Sequence, residues 1–139
     1  MKRILVIANR TLCEQHLLDE LHRRRDTGQV TFHLLVPASH PSGSWTDDQV
    51  ERDARARMDD LLDTLAAAGI GATGDIGDAN PVLAAEDVMR TGQTFDEIIV
   101  STLPAGVSRW LAGNVVRRLR THTGLPVTHV VAERVSAEV

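Results

Sequence analysis

Residues 3–8 read RILVIA. An apolar run of this length is the pattern of a strand covered on both faces, as in a parallel sheet. A sheet wet on one side would instead alternate apolar and polar residues. Two basic residues border the run, as in a secretory leader. The run nevertheless stops at Asn9-Arg10, too short for a leader's apolar region, and no small-residue cleavage site follows. Similar runs recur at 30–36 (VTFHLLV), 96–101 (DEIIVS) and 126–132 (PVTHVVA), with a weaker, glycine-containing one at 70–75 (IGATGD).

Helical patterns fill the intervals. Thr11 and Glu14 form a capping box, with Leu17, Leu18 and Leu21 on the face turned inward. Thr46 and Gln49 form another, flanked by Trp45 and Val50 at the staple positions. That helix continues through Ala54, Met58, Leu61, Leu62 and Leu65 and stops at Gly69. Asn80-Pro81 reads as an N-cap followed by proline at the first helical position, with Leu83 and Val88 beyond. A last helix starts near Ser108, carries Leu111, Val115 and Leu119, and ends at Gly124, with Pro126 after it. Strands alternating with helices predict a doubly wound α/β domain, a five-stranded parallel sheet with helices on both faces. The polar segment 38–45 (ASHPSGSW) is expected to be the most mobile loop, and the tail from about Glu133 to fray.

Composition bounds the function. At 139 residues the chain has the length of one domain. Its 42% apolar and 24% charged residues are ordinary for a soluble protein, and a cytoplasmic location is expected. Aromatic residues make up 3% and the net charge is −4. Neither favours a nucleic acid or an anionic membrane as partner. No stretch approaches the roughly 20 apolar residues of a membrane span. The single cysteine, Cys13, excludes an internal disulfide and a cysteine-rich zinc site.

Parallel α/β sheets bind ligands outside the carboxyl ends of their strands, where the strand order reverses. The segments expected at that edge are Asn9-Arg10-Thr11, 37–40, 74–78 and 101–109. Helix N-termini there suit a phosphate, and Ser101, Thr102, Ser108 and Arg109 add hydroxyl and guanidinium donors. Thr11 and Ser108 also read as simple caps.

RILVIANRT, GDIGDANP, FDEIIVSTLPAGVSRWLAGNVVRRL and GLPVTHVV, in this order and spacing, resemble a universal stress protein domain from Arg3 to Val131. The resemblance implies a Rossmann-like α/β/α sandwich of the adenine nucleotide alpha hydrolase type. It also implies dimerisation through the last strand and, in one branch of the family, ATP binding. That branch carries G-x2-G-x9-G-[S/T]. Gly113-Asn114 resembles its end, which puts Leu103 and Val100 at the two earlier glycines and an amide at the final hydroxyl. Asn9 stands where the family has Asp, and Arg10-Thr11 where it has a Gly-Ser pair. The resemblance therefore implies a divergent branch with the loop STLPAGVSRW in place of the phosphate loop. The isobutyl group at the second glycine position, Leu103, is expected to fill the space the phosphates need. Leu103, Pro104 or Trp110 would then close a degenerate cleft. The other reading is that Arg10 and Arg109 supply the positive charge, so that ATP or another anion binds through Asn9, Arg10, Ser101, Thr102, Ser108, Arg109, Gly113 and Asn114.

Other constellations carry less. The six histidines show no H-x-x-x-H spacing, and no metal is expected; His33 and His129 fall inside strands as core or interface groups. Cys13 lies in a first helical turn, where a thiol pKa falls, but has no CxxC partner. Ser108 lacks a G-x-S-x-G elbow. No base with a partner is apparent, so no catalytic residue is assigned. Basic clusters at 22–25 and 117–120 sit at helix C-terminal halves, where they complement the dipole. The last strand, from Pro126 to Ala132, would leave an unpaired edge unless a second copy covers it. The sequence thus predicts a non-catalytic, stress-response-type module acting as a homodimer, through a ligand or an unidentified protein partner. A nucleotide-binding or slowly hydrolysing domain is the alternative.

Overall fold

The computed structural model describes residues 1–8, 15–37, 47–78, 80–102 and 114–131. In chain order the elements are β1 (Lys2–Ile7), α1 (Gln15–Asp26), β2 (Val30–Pro37), α2 (Asp47–Ala67), β3 (Ala72–Gly77), α3 (Pro81–Arg90), β4 (Glu97–Thr102), α4 (Val115–Thr123) and β5 (Val127–Val131). The five strands form one sheet in the order β3-β2-β1-β4-β5, and every pairing is parallel. The expected fold is the observed one.

β1 lies at the centre, and Ile4 to Ile7 are wholly buried. Side chains alternate across a strand. Ile4 and Val6 therefore join the core under α1 and α2, with Leu17, Leu21, Met58, Leu61 and Leu65. Leu5 and Ile7 join the core under α3 and α4, with Val82, Val88, Val115 and Leu119. Leu17, Leu21, Met58, Leu61, Leu65, Val88, Val115 and Leu119, marked by the sequence, fill these cores, whereas Leu83, also expected there, is exposed and Leu111 lies outside the described residues.

β3 begins at Ala72, two residues later than its expected start. The reason is the end of α2. Gly69 takes a φ of +76°, its N–H donates to the Ala66 carbonyl, and the Ile70 N–H donates to the Leu65 carbonyl at 2.9 Å. This is a Schellman cap, whose following apolar residue packs back on the helix. Ile70 is buried in the α1/α2 core and serves the cap rather than the strand. The start of α3 is as expected. The Asn80 side chain accepts from the Val82 and Leu83 N–H groups, and Pro81 follows it. A Cβ at Gly77 would lie 2.9 Å from the Ala84 Cβ, so α3 rests on bare β3 backbone.

The amino ends of the strands are tied by charge. Glu97, at the start of β4, is buried and accepts from Arg24 Nη1 at 2.6 Å, Lys2 Nζ at 3.3 Å and Thr128 Oγ1 at 2.9 Å. Arg24 also binds Glu20 at 2.7 Å and donates to Thr128 Oγ1. Arg23 closes on the other oxygen of Glu20. Burial alone would raise the Glu97 carboxyl. The hydrogen bonds from Arg24 and Thr128 and the Arg24 charge hold it below its usual range.

Two stability changes follow. Arg24→Met strips the main partner from a buried carboxylate and is expected to cost about 3 kcal/mol. Asn80→Ala removes a helix cap and is expected to cost about 1 kcal/mol. Urea unfolding midpoints at neutral pH check both, with Arg24→Met the larger loss.

Candidate functional site

The strand order reverses at β1. β2 lies on one side of it and β4 on the other, so the crossovers run in opposite directions from this point. A crevice opens at the carboxyl ends of the two strands flanking such a reversal, here after Ile7 of β1 and Thr102 of β4. Of the sequence-predicted site residues, Ser101 and Thr102 end β4 at this position, each only 2% exposed. Asn114 immediately precedes α4 in the left-handed region, with φ 57° and ψ 39°. Its side chain makes no capping bond to α4 and is exposed. Asn9, Arg10, Ser108, Arg109 and Gly113 lie outside the described residues, as do Cys13, Trp45, Leu103, Pro104 and Trp110.

Val100 stands where the nucleotide-binding branch has its first glycine. Its side chain is wholly buried in the core under α3 and α4, with Val115, Leu119 and Val127. The pleat decides this. Two residues before the end of β4, on the face of Ile98, a side chain points into the core and not out of the strand end.

One contact at this edge was not foreseen from the sequence. Thr102 Oγ1 lies 2.8 Å from His129 Nε2. His129 pairs in register with Val100, and Val131 with Thr102. Register partners share a face, so the imidazole of β5 lies beside the strand-end hydroxyl of β4. Burial pushes the His129 pKa down, and the charge of Arg120 on α4 pushes it further. Arg120 is held nearby through its Nη2, which donates to the Val127 carbonyl at 3.3 Å. The usable sequence signal was the strand register. One strand ends VST and its neighbour reads VTHVV, which aligns the histidine with the hydroxyl only once the pairing is known.

His33 is a second imidazole on the same sheet face, away from the crevice, and is buried where His129 is half-buried. Nδ1 meets Thr73 Oγ1 at 2.7 Å, and Nε2 meets Asp75 Oδ2 at 3.2 Å. Its ring lies 6.0 Å from that of Phe95, over which the Arg3 guanidinium stacks. Burial lowers the His33 pKa, Asp75 partly restores it, and Arg3 lowers it again. Among the described residues, no group of three or more histidine, cysteine or carboxylate side chains could hold a metal ion. Among them, too, no helix is long and apolar enough to cross a membrane.

Both imidazoles titrate below their unfolded value of 6.5, so the unfolded chain binds more protons near that pH. Their contribution is complete above pH 6.5 and is lost as the pH falls through 6.5 toward the folded values. Thermal melts from about pH 7.5 to about pH 5.5 should show a falling Tm. The fall should shrink in the His33→Gln, His129→Gln double variant, and an equal fall would place its origin elsewhere.

No protein-family model and no curated protein matches the sequence. Solved structures do. A universal stress protein family member from Archaeoglobus fulgidus superposes with a TM-score of 0.65 at 15% identity, covering 94% of this chain and 93% of that one. One from Burkholderia pseudomallei gives 0.62 at 17% identity, over 92% and 94%. One from Arabidopsis thaliana, solved with AMP bound, gives 0.60 at 18% identity, over 96% and 93%. The chain has the universal stress protein fold.

Proposed function

We propose that the chain is a universal-stress-protein-like regulatory module, non-catalytic and homodimeric, whose switch-point crevice takes an adenine nucleotide. One observation carries this reading. The end of β4 presents two small buried hydroxyl residues, Ser101 and Thr102, beside the central strand at the reversal of order. Hydroxyls and helix N-termini are the donors a phosphate needs, and Val100, at the position of one missing glycine, packs into the core. The AMP bound by the Arabidopsis protein supports the ligand class. Asn9, Arg10, Ser108, Arg109 and Gly113 would complete the site. ATP is the alternative occupant, without an obligatory cofactor.

A second reading keeps the module but closes the cleft, so that it acts through protein contacts alone. The exchange of hydroxyl for amide at Asn114 favours it. The left-handed backbone there puts the side chain off the axis of α4, where it caps nothing in its own helix. Titration calorimetry of the purified protein with AMP and ATP separates the two. Binding in the micromolar range is expected, and no heat up to millimolar nucleotide would select the closed cleft.

The homodimer is proposed through β5, whose outer edge has no neighbouring strand among the described residues. Val131, 42% exposed, is one of the few exposed large apolar side chains. Light scattering at tens of micromolar should give a dimer mass, and Val131→Lys should shift it toward monomer. A monomeric wild type would overturn this part.

A further inference from the structure

We propose that His129 couples ligand binding to proton uptake, so that the crevice holds its anion more tightly as the pH falls. The inference rests on the anion-binding reading of the crevice and adds its regulation.

The argument begins with the charges around the ring. From β4, His129 is faced by the Thr102 hydroxyl, 2.8 Å from Nε2. From α4 it is faced by Arg120, whose charge lowers its pKa further below the value that burial sets. α1 packs on β5 from the opposite face of the sheet, and its cation there, Arg24, binds Thr128, Glu97 and Glu20. The imidazole thus meets positive charge and a neutral hydroxyl, and its protonated form is disfavoured in the empty protein. An anion at the end of β4 reverses this balance, since opposite charge within several ångström favours the charged form.

Hydrogen-bond direction works the same way. With Nε2 unprotonated, Thr102 donates its hydroxyl hydrogen to the ring. With Nε2 protonated, the ring donates to Oγ1, and the hydroxyl hydrogen must go to another acceptor. A phosphate oxygen at the strand end is such an acceptor. Protonation of His129 therefore adds a nearby charge and redirects a donor, and both strengthen anion binding. By linkage, the anion raises the affinity of His129 for its proton by the same factor.

The experiment is AMP titration of the full chain and of His129→Gln at about pH 8 and about pH 5.5. The phosphate of AMP titrates in this range itself, so the readout is the wild-type change relative to the variant. Wild type should gain about three- to tenfold in affinity over the variant between the two pH values, equivalent to a bound-state shift of about half to one pKa unit. Proton NMR of the His129 ring in wild type, with and without AMP, keeps the test open if the variant folds poorly. Its titration midpoint should rise on binding. Equal pH profiles for wild type and variant, or a midpoint indifferent to AMP, would overturn the coupling and leave the nucleotide reading intact. Absence of AMP binding at every pH would overturn that reading, and the coupling with it.

Discussion

β1 is the constraint on which the rest of the molecule depends. Its backbone pairs with β2 on one edge and β4 on the other, and Ile4 to Ile7 are buried on both faces. A strand so placed can carry no polar side chain along its middle, because a buried polar group without a partner costs several kcal/mol. Being central and parallel, it also forces successive crossovers to opposite sides, and the reversal at its edge makes the crevice. Core and site therefore share an origin. The apolar run that fixes the fold also fixes where a ligand can sit.

The fold was legible because its signals are local or periodic. The unbroken RILVIA run, the Asn80-Pro81 cap and the Met58, Leu61, Leu65 spacing each state their role without reference to another segment. What escaped the sequence was decided by contact. IGATGD begins as a strand by composition, yet Ile70 is drawn into the cap of α2 by two backbone hydrogen bonds around Gly69. The burial of Glu20 and Glu97 was equally invisible. A carboxylate inside a fold is tolerable only with partners; those of Glu97 come from β1, α1 and β5, remote in sequence, whereas Glu20 is met by Arg23 and Arg24 of its own helix.

The site was legible in part, and for one physical reason. Position along a strand tells which edge a residue reaches, and Ser101 and Thr102 are at that edge as read. Position does not tell which way a side chain points relative to a neighbouring strand, because that depends on register. Val100 lies close to the crevice in sequence but faces the core, and His129 lies remote in sequence but faces Thr102. A motif comparison counts residues along one strand and so assigned weight to the first and none to the second.

The two ends of β4 and β5 divide the electrostatic work between them. At the amino end, Glu97, Glu20, Arg24, Arg23 and Lys2 neutralise one another around the Thr128 hydroxyl. Such a cluster is locked, since removing either sign strands the other in a poorly solvated place. Toward the carboxyl end, the same two strands set a hydroxyl beside an imidazole whose pKa is lowered, while Arg120 of α4 is anchored on the Val127 carbonyl where β5 begins. The ion network on α1 holds β5 against β4 by contacts at Thr128, one residue from His129. The satisfied end thereby supports the register that sets His129 beside Thr102 at the end of the neighbouring strand.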